Sequence, residues 1–310
     1  MKPYPPSVKS VASIDIGTNT ILLLVAEVSQ GKINPLFDME TVVRLGEGVH
    51  KNGILSKEAM ERGLQTLSQY LERCQAMKIQ KIFAVGTSAL REAKNSEDFL
   101  TLVKEKLDLS IDVISGEEEA RLSFLAVARD LRKTGEPVMV VDIGGGSTEF
   151  ILGKNDQIRQ WISLPLGSVR FTEQFLHSDP VQEEEWQKMM RKILESLVDI
   201  PHSQEPLSMV AVGGTATTLA SVEQRLEEFV AEKIHHFVLK KETLKNQLLL
   251  YRSKTLAERR RIPGLPAARA DVVFAGAAIL YLTMEELRCP SVLISCHGVR
   301  YGLIYKMLPI

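Results

Sequence analysis

Long apolar runs and paired cysteines are both missing from this 310-residue sequence. The most apolar early run, Ile21–Val28, is far shorter than the roughly 20 residues that a membrane-spanning helix needs. The N-terminal residues lack the charged-then-apolar pattern of a secretory leader. The three cysteines, Cys74, Cys289 and Cys296, include no Cys-x-x-Cys pair, which favours reduced thiols. We therefore expect a soluble, cytoplasmic protein without a membrane partner.

An excess of charge of one sign is also missing. Lys and Arg number 38 and Asp and Glu number 39, so the formal net charge is −1, which disfavours a specific nucleic-acid partner and an acidic disordered tail. Aromatic residues are only 6% of the chain, too few for large base-stacking platforms. Hydrophobic residues reach 45%, as in ordinary globular proteins. At about 150 residues per domain, this length predicts two domains.

Two stretches of the sequence repeat one pattern. In 11–25 and in 138–152, an apolar β-rich run leads into Asp-Ile-Gly, then into a turn of small residues, then into a second β-rich run. Each stretch predicts a strand, a tight turn and a second strand. The recurrence in the second half indicates an internal duplication, with two domains of related topology that open on the same hairpin.

The rest of the chain alternates between predicted helices and strands, which is typical of an α/β fold. The predicted helices include 56–77, 99–107, 117–131, 183–198, 270–287 and 299–307, and the predicted strands include 79–85, 111–114, 158–164, 209–212 and 291–295. We place the first domain at residues 1–125 and the second at 126–310, with the join near the helix over 117–131. The terminal helix, 299–310, is left open to pack back on the first domain.

The two Asp-x-Gly turns are candidate phosphate-binding loops. Small residues let backbone N–H groups converge on an anion, and hydroxyls add further donors. The acid repels phosphate, but it can hold Mg²⁺ (or Mn²⁺), which bridges to the phosphate. One such turn is often an ordinary hairpin, whereas two facing loops would clamp a polyphosphate between the domains. The metal-holding candidates are Asp15 and Asp142, and the phosphate-binding candidates are Gly17, Thr18, Asn19, Thr20, Gly144, Gly145, Gly146, Ser147 and Thr148.

Two further turns of small residues are candidates for the same chemistry. Gly213, Gly214 and Thr215 begin a predicted helix, whose unpaired N–H groups favour anions. Gly86-Thr87-Ser88 forms another turn, and Arg91 follows it by one helical turn. The Arg91 guanidinium would neutralise phosphoryl oxygens. Without that turn, Arg91 would be interpreted as a surface residue of a helix.

These loops resemble the phosphate loops of the actin, heat-shock chaperone and sugar kinase superfamily. Within it, stretches 114–121 and 142–149 are similar to motifs of the exopolyphosphatase and guanosine pentaphosphate phosphatase family, as are 86–91 and 45–48. The resemblance runs from Val11 to the C-terminus. It implies two ribonuclease H-like (actin-like ATPase) domains with a cleft between them and phosphohydrolase activity. For the guanosine substrate, it implies a role in the stringent response.

The acid run Glu117-Glu118-Glu119 begins a predicted helix. Helix capping explains part of it, with Ser115 as the cap and Glu118 three residues later, and the positive end of a helix favours acids. From the residues alone, Glu119 is therefore expected to be structural. The resemblance reverses this expectation, because the glutamate immediately before Ala-Arg is the family's proposed base, and here that residue is Glu119. Its carboxylate would orient a water for in-line attack and accept its proton.

A second acid, Glu149, directly follows the second phosphate loop. It is a candidate catalytic residue that would act as a second base or through Mg²⁺. An ordinary exposed strand position explains Glu149 equally well, and both interpretations stay open.

The stretch Lys233–Arg269 is strongly basic although the whole chain is nearly neutral. Such a run is often a solvated helix face, and it is equally a candidate track that attracts a polyanionic substrate. The six histidines show no metal-site spacing such as His-Glu-x-x-His, so no zinc site is expected. Cys296-His297 is expected to be a strand-end pair without chemistry. Cys296 and Tyr301 also stand where the family pattern has acids.

Together these features predict a phosphohydrolase that releases terminal orthophosphate. The resemblance implies inorganic polyphosphate, guanosine pentaphosphate, or both as its substrates. One alternative is a small-molecule kinase of the same superfamily, in which Gly213–Thr215 would belong to an adenosine pocket. Another alternative is a non-catalytic nucleotide-binding module. Orthophosphate release without an acceptor would count against the kinase, and unchanged turnover in Glu119→Ala would favour the module. A homodimer is left open.

Overall fold

A computed structural model describes residues 9–131 and 135–308 of the chain. Their contacts divide the chain into two compact units. Unit 1 contains the chain up to Leu122 together with the C-terminal segment from Val299, and unit 2 contains Ser123–Gly298. The chain therefore enters unit 2 inside the helix predicted over 117–131. Among the described residues, no helix combines the length and apolar character needed to cross a membrane.

Unit 1 is built on a five-stranded sheet with the order β3-β2-β1-β4-β5. Its strands are β1 (Lys9–Ile16), β2 (Thr20–Ser29), β3 (Lys32–Val42), β4 (Lys81–Gly86) and β5 (Asp112–Val113). β1 pairs antiparallel with β2 and parallel with β4, and β2 pairs antiparallel with β3. The first predicted hairpin thus lies inside this sheet.

Unit 2 is built on a six-stranded sheet with the order β10-β11-β9-β6-β7-β8. Its strands are β6 (Pro137–Ile143), β7 (Thr148–Lys154), β8 (Gln157–Leu164), β9 (Ser208–Val212), β10 (Val238–Lys240) and β11 (Ser291–Ile294). β6 pairs antiparallel with β7 and parallel with β9, and β7 pairs antiparallel with β8. Both sheets therefore share one arrangement, and the predicted α/β fold with two related sheets is confirmed.

The helices connect the strands of each sheet. In chain order they are α1 (Val49–Asn52), α2 (Lys57–Ala76), α3 (Ser88–Glu92), α4 (Ser96–Leu107), α5 (Gly116–Asp130), α6 (Ser168–Phe175), α7 (Glu183–Leu197), α8 (Gly213–Gln224), α9 (Ala231–Ile234), α10 (Lys241–Ser253), α11 (Leu256–Arg259), α12 (Val273–Glu286) and α13 (Val299–Met307). α12 is buried on nearly every side, because its sequence is apolar all round. α5 contains the boundary between the two units.

Each unit has its own hydrophobic core, which holds the strand ends in place. In unit 1, strand residues such as Ile14 pack with helix residues such as Phe99. In unit 2, Val141 of β6 belongs to one cluster with Phe274 of α12. All four of these side chains are fully buried. The loops that leave the strand ends are therefore supported by rigid elements.

The sequence pattern failed to predict several elements, among them β3, α6 and α10. Among the described strands, β3 lies at the edge of its sheet and pairs only with β2. Two of its apolar side chains, Leu36 and Met39, remain 48% and 42% exposed. Because an edge strand buries little of either face, it carries no strict apolar alternation for a pattern search to detect.

The basic stretch Lys233–Arg269 spans several separate elements. It is divided among α9, β10, α10, α11 and a 3₁₀ turn at Ala267–Arg269. Arg259 and Arg269 are only 5% and 6% exposed, so the expectation of a solvated face or an open track is wrong for these two. The Arg259 guanidinium lies 3.8 Å from the Asp179 carboxylate, and burial lowers the pKa of Arg259.

Candidate active site

The first candidate loop is the tight turn that joins β1 to β2. The Gly17 N–H donates to Thr20 O at 2.9 Å, which closes the turn, and the Gly46 N–H donates to Thr18 O at 2.9 Å. Within the part of the chain that the structure describes, the Thr18 hydroxyl and both amide atoms of Asn19 are buried without a hydrogen-bond partner. Because buried polar groups are costly when unpaired, a ligand that pairs with them is favoured at this turn.

The second candidate loop joins β6 to β7 and is closed by the same kind of hydrogen bond. The Gly144 N–H donates to Ser147 O at 3.0 Å. The start of α6 supports the loop, because Arg170 Nε donates to Gly146 O at 2.8 Å. Thr148 is fully buried, and its hydroxyl donates to a backbone carbonyl two residues before α6. The Thr148 side chain is thus engaged in holding the loop.

The third candidate loop is the start of α8. Gly213 has a φ of 88°, which places it in the left-handed region and makes the turn from β9 into the helix. A Cβ on Gly214 would collide with the guanidinium of Arg269, so glycine allows that side chain to lie against the helix start. Thr215 is 5% exposed. The fold therefore places a buried arginine beside the predicted anion-binding turn.

The first two acids of α5 lie in ordinary surface pairs. Arg121 Nη2 donates to Glu117 Oε1 at 2.6 Å within the same helix. Lys306 Nζ, in α13, donates to Glu118 Oε1 at 2.6 Å. Ser115 caps the helix as expected, because its hydroxyl accepts the Glu118 N–H at 3.2 Å. These contacts give Glu117 and Glu118 structural roles.

Glu119 has a different environment from its two neighbours. Its residue is only 8% exposed, and Arg91 Nη1 donates to its Oε2 at 3.0 Å. The same Arg91 nitrogen donates to Ile114 O at 2.8 Å. Arg91 lies in α3, and the predicted turn 86–88 is the junction at which β4 ends and α3 begins. The structure therefore brings the predicted base and the predicted arginine together, and Arg91 is engaged with a carboxylate and a carbonyl.

The acids that flank the second loop are also buried. Asp142 is 9% exposed, and Ser123 Oγ, in α5, donates to its Oδ2 at 2.5 Å. Glu149 is 1% exposed, and Ser163 Oγ donates to its Oε1 at 2.7 Å. The interpretation of Glu149 as an exposed strand residue is wrong. Both carboxylates are oriented by serine hydroxyls of unit 2.

The two aspartates have the donor chemistry that Mg²⁺ prefers. Asp15 in unit 1 and Asp142 in unit 2 each offer hard carboxylate oxygens and are each 9% exposed. A Cβ on Gly213 would lie 2.9 Å from Asp142 Oδ1. Glycine therefore keeps one side of this carboxylate clear, which leaves room for a cation there. Each carboxylate on its own therefore has donor atoms that fit this metal.

The sequence did not predict the contacts that Arg269 and Arg170 make with these loops. Arg269 belongs to the basic stretch, and no local sequence pattern links it to Gly214. Arg170 lies in the first turn of α6, two residues after Gly167-Ser168, a pair of small residues at the start of this helix. That pair was the available signal for a further loop support, because it repeats the composition of the other turns.

Solved structures match this fold over nearly the whole chain. A Ppx/GppA family member from Aquifex aeolicus is 34% identical, with a TM-score of 0.82, and 98% of each chain is covered. An exopolyphosphatase from Cytophaga hutchinsonii is 27% identical, with a TM-score of 0.88, and 97% of this chain and 98% of that chain are covered. The mixed α/β architecture with two sheets is thus shared with proteins of one family.

Sequence comparison with known proteins identifies the same family. The bifunctional 3-dehydroquinate synthase/phosphatase of Fusobacterium nucleatum subsp. nucleatum is 36% identical over 95% of this chain. This chain spans only 46% of that relative's length. Exopolyphosphatase 2 of Mycobacterium tuberculosis is 32% identical over 90% of this chain and 91% of its own. The profile of the Ppx/GppA phosphatase family matches residues 24–310, and the chain therefore belongs to the Ppx/GppA phosphatase family.

Proposed function

We propose that this protein is a phosphohydrolase that releases terminal orthophosphate from inorganic polyphosphate, from guanosine pentaphosphate, or from both. The observation that carries the proposal is the pair of matching turns, closed by Gly17 N–H to Thr20 O and by Gly144 N–H to Ser147 O. Two relatives named as exopolyphosphatases support the polyphosphate substrate. Hydrolysis of the guanosine substrate would give the protein a role in the stringent response.

The phosphate-binding part of the proposal assigns backbone N–H groups and polar side chains to the substrate. The groups of the first two loops would donate to phosphoryl oxygens, with the Thr18 hydroxyl and the Asn19 amide buried there. The N–H groups at the start of α8 would add donors at the positive end of a helix. Arg269 would supply fixed positive charge beside Gly214.

The catalytic part assigns the water-activating role to Glu119. Arg91 orients its carboxylate through the 3.0 Å contact, so the carboxylate can hold a water and accept its proton during in-line attack. Arg91 therefore acts first on Glu119, which differs from the direct phosphate contact expected from sequence. Glu149 is proposed as the second acid of the site, held by Ser163.

The metal part assigns Mg²⁺ (or Mn²⁺) to Asp15 and Asp142. When bound, the cation would neutralise charge on the phosphoryl oxygens. Each carboxylate would offer oxygen ligands to the cation at its own loop, and Ser123 orients Asp142. Full activity in excess chelator would contradict this assignment.

A side-by-side phosphate-release assay tests the proposed function. The full chain is supplied with Mg²⁺ and with long polyphosphate, short polyphosphate, guanosine pentaphosphate or ATP, without any acceptor. The proposal expects orthophosphate from at least one of the first three substrates and loss of activity in chelator. Turnover only after addition of an acceptor would indicate a kinase instead, and binding of ATP without turnover of any substrate would indicate a nucleotide-binding module.

A further inference from the structure

Four ionisable side chains meet in unit 2, and none of them belongs to the loops described above. We call them the histidine cluster: Asp130, His235, His236 and His297. His235 Nε2 lies 3.2 Å and His236 Nε2 lies 2.7 Å from Asp130 Oδ2. His297 Nδ1 lies 3.6 Å from Asp130 Oδ1. One carboxylate is thus approached by three imidazoles.

The cluster is assembled from three separate parts of the chain. Asp130 is the last residue of α5, His235 and His236 lie between α9 and β10, and His297 follows β11. The His235 ring stacks on His236 with a centroid distance of 3.9 Å, and it lies tilted against His297 with a centroid distance of 4.2 Å. The three imidazoles are therefore in direct contact with one another.

We propose that Asp130, His235 and His297 bind a divalent transition-metal ion of the Zn²⁺ class, with His236 as an additional donor. One ligand atom from each of the first three residues lies within 4.8 Å of the others. In a tetrahedral zinc site with bonds of about 2.0–2.1 Å, neighbouring ligand atoms lie about 3.3 Å apart. Measured to one Asp130 oxygen, Oδ1, His235 Nε2 lies at 3.4 Å and His297 Nδ1 at 3.6 Å, which is close to this spacing.

The donor set selects the class of metal. Imidazole nitrogen is a good ligand for Zn²⁺, Cu²⁺ and Ni²⁺, whereas Mg²⁺ and Ca²⁺ prefer oxygen ligands. Asp130 adds a carboxylate oxygen, which Zn²⁺ also accepts as a ligand.

The competing explanation is a hydrogen-bonded hub without metal. The Cys296 N–H donates to His235 Nδ1 at 3.2 Å, so the neutral His235 ring carries its proton on Nε2, toward Asp130. A metal ion at Nε2 replaces that proton and requires the proton to move to Nδ1, which breaks the bond to Cys296. One neutral hydrogen bond stabilises a fold far less than a bound metal does.

Metal binding would tie three elements together. The ligands come from the end of α5, the segment before β10 and the segment after β11, so an ion would cross-link parts of unit 2 that are distant in sequence. A ligand that binds only the folded state stabilises it. The proposal therefore has a readout in thermal stability that does not depend on catalysis.

The test uses the full chain after chelation and dialysis, with excess Mg²⁺ present to compete at the oxygen-ligand site. Zn²⁺ is titrated calorimetrically, and Co²⁺ is titrated by visible absorption. The proposal expects one equivalent of Zn²⁺, the visible bands of four-coordinate Co²⁺, and a rise in Tm of about 5–10 °C at a metal concentration of about 100 times the dissociation constant.

Variants decide where the ion is held. His235→Gln, His297→Gln and Asp130→Asn should each weaken Zn²⁺ binding at least about 100-fold, more than the loss of an outer contact costs. His236→Gln should weaken it less, because that residue is half exposed. His202→Gln is the matched control, since His202 faces one carboxylate, Glu286, at 3.4 Å and should bind as wild type.

Two outcomes overturn the proposal. If the wild-type chain does not bind Zn²⁺, the histidine cluster is held together by hydrogen bonds and is not a metal site. Zn²⁺ binding that survives His297→Gln but is lost in Asp142→Asn places the ion with the phosphate loops instead. Circular dichroism of each variant checks folding, and if Asp130→Asn does not fold, the two histidine variants carry the decision.

Discussion

At the residue scale, burial and pairing separate three adjacent glutamates that are chemically identical. Glu117 and Glu118 pair with Arg121 and Lys306 at the surface, whereas Glu119 is 8% exposed and held by Arg91. A helix start favours all three acids equally through its positive end. Tertiary contacts therefore distinguish the catalytic candidate, because only Glu119 combines burial with a guanidinium partner.

Replacing Glu119 should impair the chemical step. We expect Glu119→Gln to lower kcat about 10²–10⁴-fold with little change in KM, because a positioned base acts in the transition state. Phosphate release under saturating substrate measures this effect. Glu118→Gln is the matched control, since it removes an adjacent acid and its Lys306 contact. A larger loss in Glu118→Gln would contradict the assignment of the base.

At the element scale, the start of α8 depends on a glycine for two independent reasons. Gly213 has a φ of 88°, and a Cβ there would lie 2.9 Å from Asp142 Oδ1. An L-residue with this positive φ lowers the free energy of unfolding by about 1–2 kcal/mol. The added Cβ would also displace the Asp142 carboxylate, which we propose holds Mg²⁺. The same substitution should therefore affect both stability and the Mg²⁺ requirement.

Gly213→Ala should therefore do more than destabilise the fold. We expect a loss of about 1–2 kcal/mol in stability together with a higher Mg²⁺ concentration for half-maximal rate. Gly135→Ala is the matched control, because Gly135 has a φ of 76° and no atom within 4 Å of an added Cβ. It should show the stability loss alone. An unchanged Mg²⁺ requirement in Gly213→Ala would argue against the role of Asp142.

The basic stretch can be tested as a substrate track only at its exposed positions. Arg259 is buried, so its removal would perturb the fold, whereas Arg260 and Arg261 are exposed. If these two guide a long polyanion, Arg260→Gln/Arg261→Gln should raise KM for long polyphosphate and flatten its salt dependence. Guanosine pentaphosphate hydrolysis should change little. If the variant hydrolyses both substrates with the same kinetics as the wild type, Arg260 and Arg261 belong to a solvated surface and do not guide the substrate.

At the scale of the whole molecule, stability should fall in alkaline solution because of groups buried in unit 1. Burial raises the pKa of the Cys74 thiol to about 11 and that of the Tyr70 hydroxyl to about 12. The folded state therefore holds these protons more tightly than the unfolded chain. The resulting stabilisation is complete below the unfolded pKa and is lost as pH rises through the folded pKa.

Cys74→Ala should reduce this alkaline sensitivity. For a shift from 9.0 to about 11, the thiol contributes on the order of 2 kcal/mol that disappears between about pH 9 and 11. The variant should melt below wild type at pH 8, because a buried side chain is shortened, and the difference in Tm should shrink or reverse near about pH 10.5. Parallel Tm curves for the two proteins across this range would contradict the prediction.

The sequence by itself determined the motifs and many of the helices and strands. The two hairpins, the α/β alternation and the bounds of helices such as α2, α7 and α13 follow from periodicity and glycine-rich turns, which act over a few residues. The family motifs also lie in short continuous stretches. Secondary-structure preferences can be predicted from a single sequence because residues that are neighbours in the chain are also neighbours within a helix or a turn.

Only the tertiary structure decided which distant residues meet. The contact of Arg91 with Glu119, the approach of Arg269 to Gly214, the burial of Arg259 and the assembly of Asp130 with three histidines all join separate elements. Each depends on strand order and helix packing, which place residues far apart in the chain within a few ångströms of one another. A histidine that looks isolated in sequence can therefore become a metal-ligand candidate, because side-chain chemistry depends on spatial neighbours.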